Sequence, residues 1–182
     1  MEEVALMRTV IVVYSRSGRS LRIAEMLAAR TNARLCRIDC PRYRGFRGWL
    51  RGWRDARRGY LPEIDVVPEI GAADLLILGG PVWAGRFAPP LRSLMDKANR
   101  LPPVVGVFAT RNRINSTLPL EADLMALAAA GPTPDEPLPL LSLARRTLRG
   151  AAGTKAVERF AERLAPLVSR RKLPALLPLQ AA

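Results

Sequence analysis

Residues 10–23 read VIVVYSRSGRSLRI. Thr9–Tyr14 (TVIVVY) is β-branched and apolar almost without a break, the pattern of a strand buried on both faces of a parallel sheet. A polar loop, Ser15–Ser20, follows at once. From Leu21 to Arg30 apolar residues recur at helical spacing, with Ile23, Ala24, Leu27 and Ala28 on one face. Strand, hydroxyl-rich turn and helix in direct succession form the opening of a βαβ unit.

The same alternation continues outward. Ala33–Ile38, Asp74–Gly79 (DLLILG), Val104–Ala109 (VVGVFA) and Leu138–Leu143 read as further strands. Pro90–Lys97, Leu118–Ala130 and Thr154–Val168 read as helices, the last with Val157, Phe160, Ala161 and Leu164 facing inward. Right-handed crossovers make this one three-layer α/β/α domain on a parallel sheet, spanning 1–168. Residues 169–182 form a basic tail. Pro174 and Pro178 argue against a helix there, and Leu173, Leu176 and Leu177 are expected to hold it to the surface.

Composition narrows the chemistry. The 182 residues are 49% hydrophobic and 25% charged, which suits one folded domain and excludes bulk disorder. Apolar runs fall far short of the roughly 18 residues that cross a membrane. The acidic opening Met-Glu-Glu-Val has no apolar stretch behind a basic patch, so no secretory signal is expected and the cytoplasm is the default location. Histidine is absent, which excludes Ser–His and Cys–His catalysis and His-ligated metals. Cys36 and Cys40 are too few for a thiolate zinc site. In an extended strand they lie about 13 Å apart, too far for a disulfide, and read as reduced thiols. No metal site is expected.

Charge is the anomaly. The formal net charge is +13, and of 29 basic residues only Lys97, Lys155 and Lys172 are lysine. Residues 41–60 carry seven arginines (42, 44, 47, 51, 54, 57, 58) against Asp55 alone.

In an open parallel sheet, ligands bind beyond the C-terminal ends of the strands. Three loops leave there: Ser15–Ser20, Gly80–Ala88 and Thr110–Thr117. The first places three hydroxyls, Gly18 and two arginines before a helix N-terminus, a place suited to an anion. The plainer reading is an N-cap with solvated arginines. Neither GxxxxGK[ST] nor GxGxxG is present, which argues against a nucleoside triphosphate or a Rossmann-bound NAD. In the second loop, Trp83 stands between Gly79-Gly80 and Gly85 with no obvious element to pack against, which suits stacking on a planar ring. The alternative is that it packs on a neighbouring helix.

Together, VIVVYSRSGRSLRI and Asp74–Leu94 (DLLILGGPVWAGRFAPPLRSL) resemble the phosphate-loop and flavin-flanking motifs of the flavodoxin family. The likeness covers about residues 8–168. It implies a five-stranded parallel sheet in order 2-1-3-4-5 with FMN at its C-terminal edge. Ser15, Arg16, Ser17, Gly18, Arg19 and Ser20 would hold the phosphate. Pro81, Val82, Trp83, Ala84 and Gly85 would flank the isoalloxazine, with Thr110, Arg111 and Asn112 closing the other side. This third loop has no glycine, where many relatives are glycine-rich, and the chain is basic where electron-carrying flavodoxins are acidic. The implied function is an FMN-dependent redox protein, either an NAD(P)H-linked reductase serving a quinone-like acceptor or an electron carrier with an acidic redox partner. A flavodoxin-fold binding or regulatory module with weak or lost FMN is the alternative. No side chain is required as acid or base, so none is assigned as catalytic. Arg86, Arg111 and Arg113 are candidates for a dinucleotide's phosphates and for bordering the ring.

Within Arg42–Tyr60 (RYRGFRGWLRGWRDARRGY), Phe46, Trp49, Leu50 and Trp53 follow helical spacing, and Arg47, Arg51, Arg54 and Arg58 form an adjacent stripe. Gly45, Gly48 and Gly52 weaken the helix. Three readings stand: a crossover helix covering the sheet with a solvated basic face, a lid over the flavin, or a dock for an acidic partner or anionic membrane surface. No nucleic-acid motif accompanies the charge.

Overall fold

The computed structural model describes residues 8–64, 70, 73–97, 104–111, 118–129 and 138–172. Five parallel strands form the sheet: β1 (Thr9–Tyr14), β2 (Arg34–Ile38), β3 (Leu75–Trp83), β5 (Val104–Arg111) and β6 (Leu140–Ala144). Their order is β2-β1-β3-β5-β6, the expected 2-1-3-4-5 arrangement of the parallel strands. A two-residue strand, β4 (Arg86–Phe87), folds back antiparallel on the end of β3.

Continuous apolar strands feed two cores because successive side chains point to opposite faces. Val10, Val12, Tyr14, Leu76 and Leu78 face one side with Leu91 and Leu94 of α3 (Pro89–Lys97) and Leu120 and Leu127 of α4 (Leu118–Ala129). Ile11, Val13, Leu75 and Ile77 face the other with Ile23 and Leu27 of α1 (Arg19–Thr31) and Val157, Phe160 and Leu164 of α5 (Ala151–Lys172). α5 contains Pro166 and runs four residues beyond the expected end, taking in 169–172. The remaining tail residues, 173–182, lie outside the described residues.

The centre of β3 needs glycine for space. A Cβ on Gly79 would overlap the Phe108 ring of β5, and one on Gly80 would meet Leu91. Gly79→Ala forces Phe108 off its rotamer and lowers stability by about 1–3 kcal/mol. Urea unfolding of that variant checks it.

Between β2 and β3 lies α2 (Gly45–Arg58), after a short 3₁₀ turn at Pro41–Tyr43. Its inward residues are Gly48, Gly52, Asp55 and Ala56, not the aromatic row. A Cβ on Gly48 would strike the Tyr43 backbone, and one on Gly52 would strike the Trp83 ring. Glycine thus lets the helix lie close, and the aromatic row is left facing outward. Asp55 anchors it from below, accepting hydrogen bonds from Arg42 Nε at 3.0 Å and Tyr43 Oη at 3.1 Å.

Candidate functional site

β1, β3 and β5 are neighbours, so the loops that follow them meet at one sheet edge. Ser15–Gly18 turns directly into α1. Gly18 sits at φ 77°, with no atom within 4 Å of where a Cβ would stand, so the left-handed backbone and not crowding calls for glycine. No side chain caps α1, whose positive dipole end faces the loop. Ser15 is 4% exposed, and its hydroxyl is buried without a hydrogen-bond partner.

The remaining loop residues have protein partners. Ser17 Oγ accepts from Arg19 Nε at 3.0 Å. Ser20 Oγ and Thr110 Oγ1 lie 2.8 Å apart and share a buried hydrogen bond, which ties the first loop to the third. Arg16 Nη2 donates to the Gly45 carbonyl at 3.1 Å and so reaches toward the start of α2.

The second loop is better ordered than its glycines suggest. β3 continues through Gly79, Gly80 and Pro81 to Trp83. Ala84 (φ 50°) and Gly85 (φ 83°) then reverse the chain, pairing Val82 with Phe87 and Trp83 with Arg86. Trp83 does have elements to pack against: Tyr14 and Tyr43 each meet its ring edge-on with centroids 5.7 Å apart, and Gly52 lies against it. It remains partly exposed.

Arg86 is engaged within the protein. Its guanidinium pairs with Asp123 of α4 at 3.3 Å. The buried Asp123 carboxylate also pairs with Arg92 at 3.4 Å and accepts the Phe87 N–H at 2.9 Å. Burial holds Arg92 below the usual arginine range, with Asp123 opposing. This carboxylate, invisible as a partner in the local sequence, fixes β4 and hence the Trp83 turn.

Arg111 ends β5 nearly buried, its Nε without a hydrogen-bond partner. Asn112 and Arg113 lie outside the described residues. Beside Ser15 a cavity of about 430 Å³ opens toward β2, lined by Arg16, Arg37, Asp39, Cys40 and Arg44 among others. Arg37, Asp39 and Arg44 were not anticipated at the site. The exit of β2 beside β1 was the signal that could have found them.

Burial raises the Tyr14 and Tyr43 phenols above their ordinary value, and Asp55 adds to the rise at Tyr43. The neutral phenols therefore stabilise the fold fully below pH about 10, and that stability is lost as pH climbs through the higher folded values. Above pH 10, urea-derived stability falls by about 1.4 kcal/mol per pH unit for each phenol, and Tyr43→Phe removes one such increment.

Among the described residues no helix is long and apolar enough to cross a membrane, and no cluster of metal-binding side chains occurs. No family model matches the chain, and no curated protein matches it. Solved structures do. A protein from Bacteroides eggerthii, provisionally described as a flavoprotein, aligns with TM-score 0.62 and 18% identity over 87% of this chain and 98% of its own. A flavoprotein in complex with FMN from Lactobacillus acidophilus gives 0.58 and 21% over 85% and 99%. A WrbA-like flavodoxin from Agrobacterium tumefaciens gives 0.57 and 19% over 90% and 98%. Matching strand order and near-complete coverage of those chains lead to one conclusion: this chain has the flavodoxin-like fold.

Proposed function

We propose that the chain binds FMN at this edge and works as a small redox protein. One observation carries the reading: a buried hydroxyl, Ser15, without a partner beside an uncapped helix entered through left-handed Gly18. That arrangement suits a phosphate. Ser15, Ser17, Gly18, Arg19 and Ser20 would hold it, with Pro81–Gly85 on one side of the ring and Thr110 and Arg111 on the other. Arg16 would act from the side, through the α2 start.

Bound FMN supplies the electron chemistry; the protein binds it, orients it and sets its electrical surroundings. Arg111 is the decisive charge. A nearly buried cation at the strand edge favours the electron-rich reduced cofactor, which supports an NAD(P)H-linked reductase over a one-electron carrier. A quinone-like molecule is then the acceptor, and the cytoplasm, where NAD(P)H is supplied, is its place. A second reading, a fold that has lost FMN, draws on the internal engagement of Ser20 and Trp83.

Absorbance of the purified protein decides between them. A yellow preparation that NAD(P)H bleaches supports the reductase. A yellow preparation reduced only by a protein donor restores the carrier. A colourless protein that takes up no added FMN sinks both.

A further inference from the structure

Helix α2 presents an unusual outer surface. Phe46 is 76% exposed, Leu50 55%, and Trp49 and Trp53 43% each. At about 100° per residue these four fall within about 100° of arc, and Arg47, Arg51, Arg54 and Arg58 occupy the next 60° or so. Arg57 stands within the aromatic arc, its guanidinium 4.8 Å from the centre of the Trp53 ring. The helix has one acid, Asp55, and that is buried against Arg42 and Tyr43. The outward surface therefore combines a row of large apolar side chains with five arginines and no carboxylate.

We infer that α2 docks lengthwise on an anionic lipid surface. The row is a convex ridge about 12 Å long on a helix of about 21 Å. A protein partner would need a matching groove lined with acids, whereas a lipid surface conforms to the ridge. Tryptophan rings settle at headgroup depth, Phe46 and Leu50 enter the acyl boundary, and the arginines meet lipid phosphates. The inference stands whether or not FMN binds. Combined with the proposed function, it sets Trp83, directly behind Gly52, next to the phase where a lipid-dissolved quinone-like acceptor resides.

The test uses the full chain with vesicles of phosphatidylcholine, alone or with about a third phosphatidylglycerol. Cosedimentation at low salt is expected to be at least about tenfold stronger on the anionic vesicles, with a blue shift of tryptophan emission, and to weaken as salt rises. Phe46→Ser with Leu50→Ser is expected to lower binding about tenfold or more. Arg47→Glu, Arg51→Glu and Arg54→Glu together are expected to abolish the anionic preference. Unchanged melting temperatures would show that both variants are folded. Absence of wild-type binding to anionic vesicles overturns the inference. So does full binding by the Phe46/Leu50 variant, which would reduce the effect to charge adhesion. Tight binding to polyglutamate with vesicles ignored transfers the face to an acidic protein. A lipid-free dimer dissolved by the Phe46/Leu50 change assigns it to a second copy.

Discussion

Gly18→Val and Ser15→Ala are each expected to weaken the proposed FMN binding by at least tenfold, read by quenching of FMN fluorescence on titration. The two act by different routes. Gly18 stands at φ 77°, where a β-branched residue costs about 1–3 kcal/mol, and relaxing that strain swings the loop away from the end of α1. The space around it is open, so Gly18→Ala fails for the same backbone reason and not through a clash. Ser15→Ala leaves the backbone alone and deletes the one loop hydroxyl found buried and unpartnered. A hydrogen bond to a charged group is worth about 1.5–3 kcal/mol, or roughly tenfold to more than a hundredfold in affinity. Ser20→Ala should weaken binding less, because that hydroxyl already holds Thr110. Equal affinity for wild type, Gly18→Val and Ser15→Ala would remove the phosphate from this loop.

The largest stability effect is expected at Asp123. Asp123→Ala strands two guanidinium groups, Arg86 and Arg92, and unpairs the buried Phe87 N–H. Arg86 Nε and Arg92 Nη1 already lack hydrogen-bond partners, and the exposed Asp96 adds only a weaker attraction at Arg92 than Asp123 does. Removing one partner from a buried charge pair costs about 3–5 kcal/mol. Urea unfolding should show a loss of that size, and Asp123→Asn a smaller one, since its amide oxygen can still accept from Phe87. A loss below about 1 kcal/mol for the alanine variant would mean that both arginines turn out to solvent.

The sheet was legible because parallel strands buried on both faces carry their signal in consecutive residues. TVIVVY and DLLILG need no partner to be recognised, and the helices after them announce themselves by period. The site's frame was legible too, since hydroxyls and Gly18 at a strand-to-helix turn have a local meaning. What escaped was non-local. Gly80-Pro81 looks like a loop until β3 is found to run on to Trp83 with Leu91 filling the space above Gly80. Arg86 looks free until Asp123 arrives from another helix. The face of α2 was misjudged for a related reason. Gly48 and Gly52 read as weak points in an amphipathic helix, yet they form its contact surface, because only glycine lets the backbone settle on Tyr43 and Trp83.

The outward face of α2 is also built without a single primary amine. Lys97, Lys155 and Lys172 are the chain's only lysines, and none lies on that helix. Lys97 closes α3 and Lys155 sits in the first turns of α5, both exposed. Amine-directed dyes, cross-linkers and sensor-chip coupling therefore act elsewhere and leave the arginine-and-tryptophan ridge chemically untouched, whereas arginine-selective dicarbonyl reagents reach it together with the other exposed arginines.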